Sequence, residues 1–411
     1  MSTKYTLDSE ENKGFLRTNA EELLKFASRF PSPEGSAWWL NNAGEPDQSR
    51  SRQTWITNRM IHSYSLGAAI GFEGSEALMD AGLKGLSGEL KDRENGGWYL
   101  GRRTDGGIIP GKQCYTHAFV ILAGTSAYLA GRPGAVELLK EALEVYDRYF
   151  WDEEEGMARD TWNTEFTVCS DYRGVNANMH STEAFLAVAD ALGEEKYRVR
   201  AGRIIAHVIG WAMNNNWRIP EHFSKDWQPD LEFNKDKPDD PFKPYGATPG
   251  HGIEWARLIT QWAVSSFGAQ NPAAFAFIEA AENLYERAVK DGWTADSGPG
   301  FCYTTDWEGN PIVHDRMHWT LAEAINTSAV LYRVTGNSQY KADYALYMDY
   351  LDHWVLDHEK GSWFHQQDEK GKVLDTVWPG KPDIYHALQS MLIPYNEKVG
   401  VSVAKALREK E

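Results

Sequence analysis

Apolar residues recur along this chain at helical spacing, in bursts that each open on polar or aromatic side chains. The plainest burst follows Pro244-Tyr-Gly-Ala-Thr-Pro-Gly-His-Gly-Ile-Glu-Trp-Ala-Arg-Leu258. Gly246, Pro249 and Gly250 interrupt regular structure there. Trp255, Leu258, Ile259 and Trp262 then fall at i, i+3, i+4 and i+7, the period of a helix buried on one side. His251 and Glu254 stand three apart in its first turn and so project from neighbouring points on one surface. Five more helix starts have this character. Trp55 and Arg59 open one, Tyr115 and His117 another, and Asn176, His180 and Glu183 a third. His318, Trp319 and Glu323 open the next, and Tyr385 with His386 the last. The six starts lie about 60–70 residues apart, and one supersecondary unit repeated at a fixed period marks a closed or stacked array.

A second set of helices alternates with these. The pattern predicts them at about 10–29, 73–92, 133–150, 194–214, 272–290 and 337–355. Phe15, Leu23, Leu24 and Phe26 form the apolar face of the first, and Pro31 and Pro33 stop it. Aromatic hairpins or loops lead into the first set: Ala37–Pro46, Gly96–Gly107 with an Asp105-Gly106 turn, Gly156–Asn163, Gly300–Gly309 and Gly361–Gly371. The stretch Asn215–Pro244 is a long insertion of the kind that rims functional clefts. Six outer and six inner helices predict an all-α (α/α)6 barrel, a six-hairpin toroid with short β-hairpins in the loops on one face. The expected organisation is a single domain over 1–411.

Composition narrows the partners. A formal net charge of −17 argues against nucleic acid and anionic membrane, which select basic surfaces. Three cysteines, Cys114, Cys169 and Cys302, lie far apart and offer neither a disulfide framework nor metal-type spacing. With no apolar core of a signal peptide and no membrane-length run, a cytoplasmic protein is the expectation. The 17 Trp and 19 Tyr exceed what a helical core requires. Many precede the inner helices, where clefts for a small-molecule monosaccharide place aromatic faces; others pack between helices.

Ring closure would aim the six inner-helix starts at one cavity holding His180, His251, His318, His386, Arg59, Glu183, Glu254, Glu323 and Tyr115. Two imidazoles flanking a sugar suit aldose–ketose exchange, since each can give or take a proton near neutrality. One opens the ring by moving a proton between O1 and O5, and the other carries a hydrogen between C2 and C1 through an enediol. A carboxylate one turn away, as Glu254 is from His251, fixes a tautomer. Arg59 holds hydroxyl or enediolate oxygens. Duller roles exist for each: a helix-start histidine is more often a cap or packing group, and first-turn glutamates suit the helix dipole. His62 and His117 are read as structural. Three other functions compete. His180/Glu183 and His251/Glu254 are His-x-x-Glu pairs, the reverse of the di-iron order, so no metal and no cofactor is the expectation. Glu254 and Glu323 are candidates for an inverting glycosidase, and a carbohydrate-binding module is the non-catalytic reading.

Four motifs carry a resemblance. Trp-Ile-Thr-x-Arg-Met at 55–60, Asn-Ala-Asn-Met-His-x-x-Glu-Ala at 176–184, Tyr-Gly-x-Thr-Pro-Gly-His-x-Ile-Glu-Trp at 245–255 and Asp-Ile-Tyr-His at 383–386 resemble the N-acylglucosamine 2-epimerase superfamily, especially its branch of mannose and sulfoquinovose isomerases. The resemblance spans nearly the whole chain and implies a metal-independent isomerase on an (α/α)6 barrel. It implies ring opening by His251 and C2/C1 hydrogen movement by His386. Arg59, His180, Glu254, Glu323, Tyr115, Trp55, Asn176 and Trp319 match family positions that line and support the sugar. Sulfoquinovose isomerases resemble one another in an arginine shortly before Tyr-Gly-x-Thr-Pro-Gly and a glutamine after Gly-Ser-Trp. Here those places read Asp240-Pro-Phe-Lys-Pro244 and Gly361-Ser-Trp-Phe-His365. A neutral sugar is therefore expected, with D-mannose/D-fructose first and D-lyxose/D-xylulose beside it, although Lys243 offers a cation. Sulfoquinovose isomerisation and 2-epimerisation are the alternatives on this scaffold, and a homo-oligomer is compatible with it.

Overall fold

The computed structural model describes residues 4–409, so the ends of the expected 1–411 span lie outside the described residues. The chain enters through α1 (Glu10–Ala27) and then alternates between two rings. The inner ring is α2 (Thr54–Ala69), α4 (Cys114–Leu129), α6 (Val175–Leu192), α8 (Pro249–Phe267), α10 (His318–Thr335) and α12 (Tyr385–Tyr395). Each packs on the next, and α12 returns to α2 to close the circle. Outer helices α3 (Ser75–Ser87), α5 (Ala135–Val145), α7 (Glu195–Met213), α9 (Pro272–Gly292) and α11 (Ser338–Tyr350) each cover the inner helix before them. The sixth cover is α1, which packs on α12. This is the (α/α)6 barrel the repeat predicts, its last hairpin assembled from the two ends of the chain. A short α13 (Val403–Ala406) crosses the end of the barrel away from the helix starts, tied by Lys405 Nζ to the Asp190 carbonyl (2.7 Å) and by Arg408 to that of Ser65 (2.7 Å).

Outer helices are amphipathic, whereas inner ones are covered on every side; residues 54–67 of α2 are buried without a break. Many of their buried polar positions are small hydroxyls, and several of these bond within their own helix. Ser63, Thr125, Ser181 and Thr260 each donate to the carbonyl four residues back at 2.7–2.8 Å. Three outer helices end earlier than their periodicity predicts: α3 stops at Ser87, before Gly88, and Tyr146–Phe150 and Leu351–Val355 continue α5 and α11 as π-helical turns.

All six helix starts are laced together by backbone bonds. Residues 52–53, 112–113, 173–174 and 316–317, which lead into α2, α4, α6 and α10, pair antiparallel with 101–102, 161–162, 222–223 and 366–367. Ahead of α8, Ala247 and Thr305 exchange two bonds of 2.9 Å; ahead of α12, Lys381 N donates to Leu40 O at 3.0 Å. Gly246 makes the α8 lacing feasible: its φ is +84°, and a Cβ there would stand 2.1 Å from the Thr305 carbonyl oxygen.

Two further locks repeat one design. Lys112 Nζ meets Asp92 Oδ2 at 2.8 Å and the Gly96 carbonyl at 2.7 Å, with both side chains fully buried. Lys381 Nζ meets Asp357 Oδ2 and the Gly361 carbonyl, both at 2.6 Å. In each turn the other carboxylate oxygen accepts two backbone amides, and a fully buried tryptophan, Trp98 or Trp363, follows six residues after the aspartate.

Candidate active site

The inner-helix starts converge on one cavity enclosing about 570 Å³, its mouth included. Of the ten residues expected at a sugar site, eight line it: Arg59, Tyr115, Asn176, His180, His251, Glu254, Trp319 and His386. Trp55 stands at the edge, its ring 4.9 Å from the Arg59 guanidinium carbon and 5.9 Å from Phe242. Glu323 is fully buried behind His386. His251 and His386 face the same indole, their rings 5.2 and 5.9 Å from that of Trp319. Gly250 lets the indole come so near α8, since a Cβ there would strike it at 2.4 Å. Phe242, from the Asn215–Pro244 insertion, roofs the cavity against Tyr115 and Trp378 at 5.7 and 5.4 Å.

Both principal imidazoles are tied through Nδ1 to a carboxylate: His251 to Glu221 and His386 to Glu323, each at 2.9 Å. With Nδ1 donating, the lone pair of the neutral ring lies on Nε2. The expected tautomer partner of His251 was Glu254, one turn along its own helix; the structure corrects this to Glu221, thirty residues upstream in the insertion. Side chains at i and i+3 share a face but diverge along it, and here Glu254 points inward to Arg257, whose terminal nitrogen donates to it at 3.4 Å. Arg257 Nε also donates to Glu323 at 2.8 Å. Arg59 donates to Tyr115 Oη at 2.8 Å and to Asp383 at 3.2 Å, with the rings of Phe119 and Tyr385 within 4.8 Å.

Burial dominates the electrostatics. It pushes His180 and His318 down to about 4, and, with Arg59 nearby, takes His386 well below the ordinary histidine value. These rings are neutral at pH 7 and able to accept a proton. Burial, reinforced by Glu323, drives Glu254 well above the usual carboxylate range. It acts upward on Glu183 too, but His180, Arg257 and Tyr385 outweigh it and hold that carboxylate low.

Several polar atoms here have no hydrogen-bond partner among the described residues: Arg59 Nε, Glu254 Oε2, and the Nε2 atoms of His318 and His365; His180 Nδ1 stands 3.6 Å from Glu183. His365, which stands where the resemblance places a glutamine in sulfoquinovose isomerases, stacks on His318 with ring centres 3.7 Å apart and lines the cavity. Sequence spacing also passed over Glu221, Arg257 and Asp383. Asp383 had a signal, lying two residues before Tyr385, whose backbone N it caps at 3.0 Å. Lys243 does not supply a cation to this cavity: its Nζ sits 3.7 Å over the ring of Tyr172, in a neighbouring pocket. His117 accepts from Trp98 N and bonds the Gln113 carbonyl, and His62 bonds Ser126, both outside the cavity lining. As for metals, the His251/Glu254 pair does not cluster with a third ligand among the described residues. Two other triads do, His180–Glu183–Glu254 and Glu254–Glu323–His386, and in the second Arg257 already occupies both carboxylates.

Comparison with known proteins bears on the chain as a whole. The N-acylglucosamine 2-epimerase (GlcNAc 2-epimerase) family profile matches residues 35–390. A D-mannose isomerase of Thermobifida fusca is 40% identical over 387 residues, 93% of this chain and 94% of that protein. One from Pseudomonas cannabina pv. alisalensis is 39% identical over 391 residues, 94% of each chain. A crystal structure of D-mannose isomerase superposes with a TM-score of 0.86 at 25% identity, covering 94% of this chain and 98% of that one.

Proposed function

The chain belongs to the N-acylglucosamine 2-epimerase family, and from that premise we propose that it is an aldose–ketose isomerase interconverting D-mannose and D-fructose, with D-lyxose and D-xylulose as a further pair. One observation carries the reading. Two imidazoles, each anchored by a carboxylate at Nδ1, stand against one indole in one cavity. His251 moves the proton between O1 and O5 that opens the ring. His386 takes the C2 proton at Nε2 and gives a proton, exchangeable with solvent, to C1, while the O2 hydroxyl proton passes to O1; Glu323 supports the transient imidazolium. Arg59 stabilises charge on the enediolate oxygens, while His180, Asn176, Tyr115, Trp319 and Trp55 hold the hydroxyls and faces of the sugar. Glu254 supplies a polar floor. No step requires a metal or cofactor, and the protein works in the cytoplasm.

A neutral sugar is favoured over sulfoquinovose. Arg59 is the one Lys or Arg among the described residues lining the cavity, and Asp383 already pairs it. A 2-epimerase outcome differs only in which carbon of the enediol is reprotonated. The test is to incubate purified protein with D-mannose and with sulfoquinovose in deuterium oxide. Ketose from mannose with deuterium at C1, undiminished after chelation, is expected. Negligible turnover of mannose beside sulfoquinovose, or accumulation of the C2 epimer instead of ketose, overturns the assignment.

A further inference from the structure

Arg257 lies one turn beyond Glu254 on α8, 3% exposed, behind Glu254 and outside the cavity lining. It bonds two carboxylates unequally. Nε donates to Glu323 Oε2 at 2.8 Å, while a terminal nitrogen reaches Glu254 Oε1 only at 3.4 Å. The remaining oxygens differ as well. Glu323 Oε1 accepts His386 Nδ1 at 2.9 Å, so both of its oxygens receive donors. Glu254 Oε2 has no hydrogen-bond partner among the described residues. Oxygens of both glutamates and a ring nitrogen of His386 fall within 4.8 Å of one another. Two carboxylates that close cannot both ionise without mutual repulsion, so one proton belongs to the pair.

We propose that Arg257 is a positioning residue that decides where this proton resides: it keeps Glu323 an acceptor on both oxygens and leaves the proton on Glu254. Glu323 then fixes His386 with Nδ1–H donating and Nε2 turned to the sugar. Glu254 presents an O–H to a sugar oxygen. Burial and the neighbouring Glu323 raise Glu254, and Arg257, at its longer distance, opposes them only in part. The kinetic consequence rests on the isomerase reading above; the protonation pattern does not.

The experiment uses the full chain at neutral pH. In the wild type, a protonated-carboxyl C=O stretch that disappears in Glu254→Gln is expected in the infrared difference spectrum; its absence overturns the proposal without any change at Arg257. In protein labelled with ¹⁵N-histidine, Arg257→Met is expected to shift or abolish the downfield Nδ1–H resonance of His386 and to spare that of His251. Turnover of mannose is expected to fall about 10²-fold with KM within about threefold, and Arg257→Lys to recover most of it. In a Glu323→Gln background, Arg257→Met is expected to cost little more. A folded Arg257→Met protein with an unmoved His386 resonance, or losses that multiply independently with Glu323→Gln, overturns the assignment. If the wild type does not turn over mannose, the isomerase reading fails alone, and the infrared and resonance readouts still judge Arg257.

Discussion

Two sets of buried charge in this barrel obey opposite rules. In the turn locks, Lys112–Asp92 and Lys381–Asp357, every anionic oxygen meets a lysine or backbone amides, and the ammonium also meets a carbonyl. Burial alone would raise Asp92, yet Lys112 and the turn amides bring it to about 2. In the cavity, by contrast, Glu254, His318, His365 and Arg59 keep atoms with no hydrogen-bond partner among the described residues, and burial strips His180, His318 and His365 of charge. Full satisfaction marks charge that fastens the fold, because a buried polar group left alone is costly. Inside the cavity, unmet donors and acceptors are free to meet a ligand.

The sharpest way to break this contrast is at the cavity. His386→Asn should lower mannose turnover about 10³-fold and leave the thermal unfolding midpoint near that of the wild type; steady-state kinetics beside calorimetry read both. Lys112→Met should do the reverse. Stranding Asp92 in a dry turn should cost about 3–5 kcal/mol of stability, measured by denaturant unfolding, with turnover per folded molecule nearly unchanged. A Lys112→Met protein as stable as the wild type would mean the lock fastens nothing.

Acid should separate the sets more gradually. His62, His180 and His318 lie at about 4 in the fold against about 6.5 unfolded. Between those values the unfolded chain binds protons that the folded one refuses. Stability therefore falls as pH drops from about 6.5 toward 4, by about 1.4 kcal/mol per pH unit for each such histidine. Glu254, raised in the fold, pulls the other way: its contribution is present at low pH and lost as pH rises through its folded value. Melting midpoints across that range check the sum, and a flat profile would mean the imidazoles are not held neutral. The smallest effect is expected from Glu254→Gln, which keeps the shape and neutrality of a protonated acid. Its stability change at pH 7 should stay under about 1 kcal/mol, and a larger gain on removing the carboxyl would show a charged Glu254.

Much of this was legible before folding. Period-3.6 apolar bursts located the helices, and the Asp105-Gly106 turn located a hairpin whose strands pair Gly101 with Ile109. Eight of ten named residues line the cavity because each sits in the first turns of an inner helix, and ring closure aims those turns together. The misplaced expectations concern partners. Glu254 was paired with His251 because they are neighbours in sequence, and Lys243 was offered to the sugar because it precedes a motif. Arg257, one turn from Glu254, carried no signal of its own in the spacing; only burial makes it consequential.

The sequence by itself determined what is local: which segments are helices, which of their ends carry imidazoles and carboxylates, and that the unit repeats six times. Tertiary structure alone decided which carboxylate reaches which imidazole, that α1 completes the ring on α12, and that Phe242 roofs the cavity. The reason is physical. Helix periodicity is written in spacings of three and four residues, whereas a hydrogen bond between Glu221 and His251, or between Glu323 and His386, depends on side-chain directions fixed only once six hairpins have closed on one another.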